Sequence, residues 1–153
     1  MRPEDFIKRT RHLANTIREL DQKSVVVGLP VESGSSKVYS SGKTVIQVGA
    51  DHEFGRGVPQ RSFLRMPFNV KRDEIVQSID NQWFNVIDGM EADQALGLLG
   101  AKATNISKGA FTSQGYGQWQ DISEFTKRDK GSSQILIDTG TLRNSITWAV
   151  RDE

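Results

Sequence analysis

The apolar residues near the start of the chain recur with a helical period. They fall on one face of a helix, and basic residues cover the opposite face. The apolar positions are Phe6, Leu13, Ile17 and Leu20. Pro3 suits the first helical turn because its φ is preset, and the acidic pair Glu4 and Asp5 complements the positive end of the helix dipole. The pattern predicts an amphipathic helix over residues 4–20.

The next elements are short. Residues 24–29 form a β-branched run that stops at Pro30, which predicts a strand. Residues 31–42 are rich in serine and predict a flexible loop, a type of segment that often binds partners. The block 44–54 has some strand propensity at its start, but from Val45 onward its apolar and small residues follow a helical period. We therefore predict a helix there.

Two prolines, Pro59 and Pro67, predict that residues 56–68 are mostly extended. Two longer helical patterns follow, over residues 75–87 and 92–106. The apolar stripes are Ile75, Val76, Ile79, Trp83, Val86 and Ile87 in the first, and Ala92, Ala95, Leu96, Leu99, Ala103 and Ile106 in the second. Gly97 and Gly100 each cost about 1 kcal/mol in a helix relative to alanine. Their presence predicts that another element packs closely against that face.

The last part of the chain changes character. Residues 109–134 are rich in Gly, Ser and Gln with scattered aromatic residues, and predict a long excursion. Residues 135–137 and 146–150 are short apolar runs that predict two strands around a turn at Asp138-Thr139-Gly140. The chain shows no internal repeat.

Composition narrows the possible functions. A chain of 153 residues fits a single domain, residues 1–153, and 36% hydrophobic residues supply one modest core that neighbouring subunits would help to complete. The net charge of +1 gives no strong overall field for nucleic acid or an anionic membrane. The absence of cysteine excludes disulfides and thiol chemistry, and no apolar run is long enough to span a membrane. The N-terminal residues are too acidic for a signal peptide, so we expect a soluble protein made inside the cell.

The run Ser41-Gly42-Lys43-Thr44 resembles the end of a phosphate-binding loop. In that motif a glycine stands five residues before the last glycine, and here the position is Lys37. The preceding strand also lies too far upstream to lead directly into the loop. A solvated loop that caps a helix is the other interpretation, and a small nucleotide-binding enzyme that uses Gly42-Lys43-Thr44 remains an alternative function.

Other catalytic patterns are incomplete. His52-Glu53 is typical of zinc hydrolases only when a second histidine follows one helical turn later, and Arg56 occupies that position. No Gly-x-Ser-x-Gly motif is present, and the pair Gly55 and Gly57 lacks the third glycine of a dinucleotide-binding motif. The sequence predicts no catalytic residue, no metal site and no cofactor.

Binding to other macromolecules fits the residues better. An aromatic and basic cluster suggests a nucleic-acid platform, or else an excursion held to the core by its aromatic side chains. Its members are Tyr116, Trp119, Phe125, Lys127, Arg128 and Lys130. Arg61, Arg65 and Arg143 each lie beside a large apolar residue. Arginine's planar fork of donors suits interfaces, so these three residues favour subunit contacts over isolated salt bridges.

Two segments carry a family resemblance. The first is His52-Glu53-Phe54-Gly55, followed by Val58-Pro59, Arg61 and Phe63-Leu64-Arg65, and the second is Leu136-Ile137-Asp138-Thr139-Gly140, followed by Leu142-Arg143 and Ser145-Ile146. Their order and separation resemble the virion morphogenesis proteins of tailed bacteriophages, the tail-completion or head–tail joining proteins that include the phage Mu G type. Between the segments, Trp119, Ser123, Thr126 and Lys127 match the spaced residues of that family. The likeness covers roughly residues 4–151.

The resemblance implies an α+β fold, with a small and mostly antiparallel sheet against the N-terminal helix and two longer central helices, and with long loops. It implies a structural phage protein without enzymatic activity. Such a protein completes the head-proximal end of the tail and joins it to the head connector, as a homo-oligomeric ring, often hexameric, around the DNA channel. A tail terminator that stops polymerisation of the tail tube is the alternative within this class.

The resemblance also implies partners, a location and a contact surface. The partners are the head connector or adaptor and the terminator or tail tube proteins. DNA passes through the ring without sequence-specific binding, and no membrane is involved. The protein is assembled in the host bacterial cytoplasm and resides in the neck or tail of the virion. The interface is expected to use the two segments, namely His52, Glu53, Phe54, Gly55, Pro59, Arg61, Phe63, Leu64, Arg65, Asp138, Thr139, Gly140, Leu142, Arg143 and Ser145.

Overall fold

The computed structural model describes residues 1–31, 37–121 and 140–153. These residues form six helices and one two-stranded sheet, so the predicted α+β class is confirmed. In chain order the elements are α1 (Pro3–Asp21), β1 (Lys23–Gly28), α2 (Val45–Phe54), α3 (Arg65–Val70), α4 (Arg72–Ile87), α5 (Ala92–Thr112), α6 (Thr141–Ser145) and β2 (Thr147–Asp152).

The sheet is antiparallel and lies against the central helix α5. The register pairs Lys23 with Asp152 at one end and Gly28 with Thr147 at the other. A two-stranded sheet is marginal alone, so its packing against a helix is what stabilises it. Trp148 of β2 lies directly over Gly100 and Gly97 of α5. The predicted close approach to these glycines is therefore confirmed.

Gly100→Ala should reduce stability, because an added Cβ would lie 2.5 Å from Cδ2 of the Trp148 indole. Overpacking costs about 1–3 kcal/mol, and the better helix propensity of alanine recovers about 1 kcal/mol. Gly97→Ala is the matched control, because its added Cβ would lie 3.3 Å from the indole edge. Urea unfolding should show a loss for Gly100→Ala and an unchanged or raised stability for Gly97→Ala. Equal losses would contradict this packing.

Helix α2 has clear start and stop signals. The Thr44 hydroxyl accepts the Gln47 N–H at 3.2 Å, and the Gln47 side chain accepts the Thr44 N–H at 2.9 Å. This reciprocal capping box fixes the first turn. At the other end Gly55 adopts a φ of 70°, in the left-handed region that favours glycine. The helix predicted over residues 44–54 is confirmed.

The core forms where α2, α5 and α6 meet the segment before α3. Its buried residues are Val45, Phe63, Ala110, Phe111, Trp119, Leu142 and Ile146. The Phe111 ring lies 5.4 Å from the Phe63 ring and 5.6 Å from the Trp119 ring, measured between centroids. The second contact is edge-to-face, a favourable geometry for aromatic pairs.

Several predicted boundaries were wrong. Residues 65–68 are helical instead of extended, because Pro67 occupies the first turn of α3, where a missing N–H loses no helical hydrogen bond. Helix α5 continues to Thr112 because its final turns bury Ala110 and Phe111, so the predicted excursion cannot begin at residue 109.

Two other predicted segments can be compared with the structure. Within the predicted loop, residues 37–42 form a turn, in which the N–H of Tyr39 donates to the Lys43 carbonyl at 2.8 Å. Ile146 is buried at the end of α6, and the strand predicted at residues 146–150 begins one residue later. The predicted strand at 135–137 lies outside the described residues, as do Asp138 and Thr139.

The helices α1 and α4 are where they were predicted, but most of their apolar stripes are not buried. Phe6, Ile7 and Ile17 of α1 are 62%, 56% and 42% exposed. Along α4 only Val86 is buried, whereas five large apolar residues remain exposed. Those five are Val76, Ile79, Trp83, Phe84 and Ile87. Both helices thus present apolar surface to solvent.

Candidate functional site

The buried carboxylate of Glu53 organises the first signature segment. It accepts hydrogen bonds from the Ser62 hydroxyl at 2.7 Å and from three consecutive backbone N–H groups. These belong to Phe63 at 2.8 Å, Leu64 at 3.0 Å and Arg65 at 3.1 Å. The first N–H groups of a helix have no internal partner, so Glu53 on α2 caps the start of α3.

Other side chains also form hydrogen bonds with the backbone of this turn. The Ser62 hydroxyl accepts the Met66 N–H at 2.8 Å. The Ser107 hydroxyl donates to the Phe63 carbonyl at 2.6 Å, and the Trp119 indole N–H donates to the Ser62 carbonyl at 3.0 Å. Residues 62–65 are therefore fixed by contacts from α2, α5 and the segment after α5.

The two signature segments meet inside the molecule. Leu142 and Phe63 both pack against Gly49 of α2, where an added Cβ would lie 3.2 Å and 3.3 Å from their side chains. Ser145 is also buried, and its hydroxyl donates to the Thr141 carbonyl at 2.8 Å. Glu53, Phe63, Leu142 and Ser145 were predicted at a subunit interface, but their burial assigns them to the interior.

The three predicted arginines have different surroundings. Arg61 is buried, and its Nε has no hydrogen-bond partner among the described residues. Burial lowers its pKa, which nearby Asp121 partly offsets. Arg143 is half-buried, and its Nε likewise lacks a partner in the described part of the chain. Only Arg65 is exposed.

The first signature segment also forms an exposed patch around Phe54. The Phe54 side chain is 54% exposed, with the Arg56 guanidinium 5.0 Å and the Arg65 guanidinium 6.0 Å from its ring centroid. Arginine beside an exposed aromatic ring is typical of interface hot spots. We call these three residues the Phe54 patch. Arg56 is not among the predicted interface residues, and its position two residues after Phe54 is the sequence feature that indicates this contact.

The remaining signature residues lie around this patch or support it. His52 is half-buried on α2, and its carbonyl accepts the Arg61 N–H at 2.8 Å. Pro59 is exposed, whereas Leu64 is half-buried against the core. Gly140 adopts a φ of 67° immediately before α6.

The nucleotide-loop residues make protein contacts. Thr44 caps α2, and the Lys43 ammonium lies 2.6 Å from the Asp51 carboxylate. The hydrogen bond from Lys43 lowers the pKa of the Asp51 carboxyl group. This geometry favours the helix-capping interpretation of Ser41-Gly42-Lys43-Thr44.

The aromatic residues proposed for nucleic acid point inward where they are described. Trp119 is buried, and the Tyr116 hydroxyl donates to the Ile106 carbonyl at 2.8 Å. Burial raises the pKa of Tyr116. This favours the interpretation in which aromatics hold the segment to the core. Phe125, Lys127, Arg128 and Lys130 lie outside the described residues.

The described residues include no group of three or more His, Asp or Glu side chains arranged to hold a metal ion. None of the helices in the described ranges has the length and apolarity needed to cross a bilayer. An apolar groove of about 340 Å³ runs between β1, α3, α4 and α5. Its apolar lining includes Val25, Val27, Phe68, Ile75, Ile79 and Leu99.

Comparison with protein-family models, with curated proteins and with solved structures found no match. The function must therefore be inferred from the residues and from the surfaces they form. Those surfaces are the Phe54 patch, the apolar groove and the exposed stripes of α1 and α4.

Proposed function

We propose that this chain is a structural subunit of a tailed-phage neck, which completes the head-proximal end of the tail and joins it to the head connector. The order and spacing of the two signature segments support this class of protein. The observation that carries the proposal is the apolar surface left uncovered on α1 and α4. A subunit whose work is contact needs such surface, whereas a monomeric domain gains nothing from it.

The subunits act as a closed ring around the DNA channel. A ring requires two different surfaces on each subunit, so that the first surface of one copy contacts the second surface of the next copy. The two exposed helices supply two such surfaces, and the Phe54 patch is available for the adjoining neck proteins. The net charge of +1 suits a channel through which DNA slides without specific binding.

Arg65→Glu is expected to leave the subunit folded but to block the joining of heads to tails. The substitution replaces a positive charge in the Phe54 patch with a negative one. The new charge would repel a partner surface rich in carboxylates or carbonyl oxygens. Infectious titre in a complementation assay should fall at least about tenfold. Circular dichroism of the purified variant checks the fold.

Arg151→Glu is the matched control, because Arg151 is an exposed arginine at the far end of β2. It should support a normal titre. If Arg65→Glu also gave a normal titre, the Phe54 patch would have no part in joining.

A further inference from the structure

Three exposed residues of α1 and the half-buried Ala14 form one continuous stripe. Phe6, Thr10, Ala14 and Ile17 follow one another at intervals of four, four and three residues. These intervals place them along one side of a helix over about 16 Å. Thr16 is buried against the rest of the chain, and the half-buried Leu13 and Leu20 lie on the helix between Thr16 and the exposed stripe.

Helix α4 carries a second stripe that matches the first. Val76, Ile79, Trp83 and Ile87 are all exposed and follow at intervals of three, four and four residues. These are the intervals of the α1 stripe in reverse order. An antiparallel packing of the two stripes therefore brings four pairs into register. The pairs are Phe6 with Ile87, Thr10 with Trp83, Ala14 with Ile79, and Ile17 with Val76.

Size complementarity supports this register. The largest side chain of the α4 stripe, Trp83, meets Thr10, one of the two smallest side chains of the α1 stripe. Large residues opposite small ones allow helices to interdigitate. Ile79 also lines the apolar groove beside α4, so this surface is concave on one side and suits a helix.

Charges beside the stripes match in the same register. Arg11 and Arg18 border the α1 stripe, seven residues apart, and Asp73 and Asp80 border the α4 stripe with the same spacing. On a helical wheel both pairs lie on the same border, and in an antiparallel pair equivalent borders face each other. Arg11 then meets Asp80, and Arg18 meets Asp73. All four side chains are exposed, and none makes an ion pair within the described part of the chain.

We infer that the α1 stripe of one copy packs antiparallel against the α4 stripe of a second copy of this chain. The contact joins two different surfaces, so each copy keeps one α1 stripe and one α4 stripe for its two neighbours, and the series closes as a ring. The inference rests on the proposed function only for placing that ring in a virion. The matched stripes and charges are properties of the chain itself.

The test uses the purified full chain and measures its mass by light scattering after size exclusion. The wild type should form a closed oligomer larger than a dimer. Phe6→Asp with Ile17→Asp removes the α1 stripe, and Val76→Asp with Trp83→Asp removes the α4 stripe. Each variant alone should be monomeric with an unchanged circular dichroism spectrum, because the altered side chains are exposed.

Mixing the two variants distinguishes this contact from any other. Each retains the surface that the other lacks, so the mixture should give a heterodimer and no larger species. A monomeric wild type, or variants that keep the wild-type mass, would overturn the inference. So would a mixture that remains monomeric while both variants are folded.

A charge exchange tests the register. Arg11→Asp with Arg18→Asp should raise the monomer fraction at low salt, where exposed charges are least screened. Adding Asp73→Arg with Asp80→Arg in the same chain should restore the wild-type mass. If the combined variant dissociated further, the assigned register would be wrong. These experiments use purified protein, so they can disprove the α1–α4 contact without disproving the proposed role in the virion. In the same way, the proposed role can be disproved while the contact is confirmed.

Discussion

Glu53→Ala is expected to reduce the free energy of unfolding by about 3–5 kcal/mol. The substitution leaves one hydroxyl and three backbone N–H groups without their acceptor in a buried turn. An unsatisfied buried donor costs about 1–3 kcal/mol, and partial entry of water reduces the sum. Since small domains are stable by about 5–15 kcal/mol, this loss removes a substantial part of the stability of the fold. Urea unfolding followed by tryptophan fluorescence, to which buried Trp119 contributes, measures the loss.

Asp51→Ala is the control, two residues earlier on the same helix. Its carboxylate makes an exposed ion pair with Lys43, and such pairs contribute little to stability. The free energy of unfolding should fall much less than for Glu53→Ala at the same protein concentration. Similar losses for the two variants would mean that Glu53 does not organise the start of α3.

Phe63→Ala and Phe54→Ala should differ sharply, although both residues belong to the first signature segment. Phe63 is fully buried against Phe111, so truncation removes apolar contacts and leaves a cavity, at a cost of about 3–5 kcal/mol. Phe54 is half exposed, and its truncation should cost less than about 1 kcal/mol. Denaturant midpoints at constant slope give both values.

Phe54 should nevertheless be important for the joining of heads to tails. Phe54→Ala leaves the fold intact but removes the ring between Arg56 and Arg65, so titre should fall while stability does not. Equal stability losses would contradict the division of this segment into a buried half and an exposed half.

The four longer helices could be predicted because the evidence for them is local, whereas the short helices α3 and α6 were not predicted. The periodic apolar residues of α1 and α4, the Thr44 cap and the paired glycines of α5 each depend on neighbours within a few turns. Gly97 and Gly100 even indicated close packing, although the sequence could not identify Trp148 as the residue that covers them. Boundaries were harder, because Pro67 is compatible with an extended segment and with the first turn of a helix.

Whether a motif lies in the core or on the surface could not be predicted from the sequence. A run such as Phe63-Leu64-Arg65 has the same composition at an interface and in a core. Contacts from distant parts of the chain, among them the Glu53 carboxylate, decide which it forms. In the same way, an apolar stripe on α4 predicts contact but does not say whether its own chain or a second copy provides it. That choice depends on tertiary packing.

Electron microscopy of particles made without this protein tests the central claim most directly. If the chain joins the tail to the head connector, the lysate should contain full heads and separate tails of normal length. Overlong tail tubes would instead identify a terminator of tube polymerisation. Intact infectious particles in normal numbers would contradict a structural role in the neck.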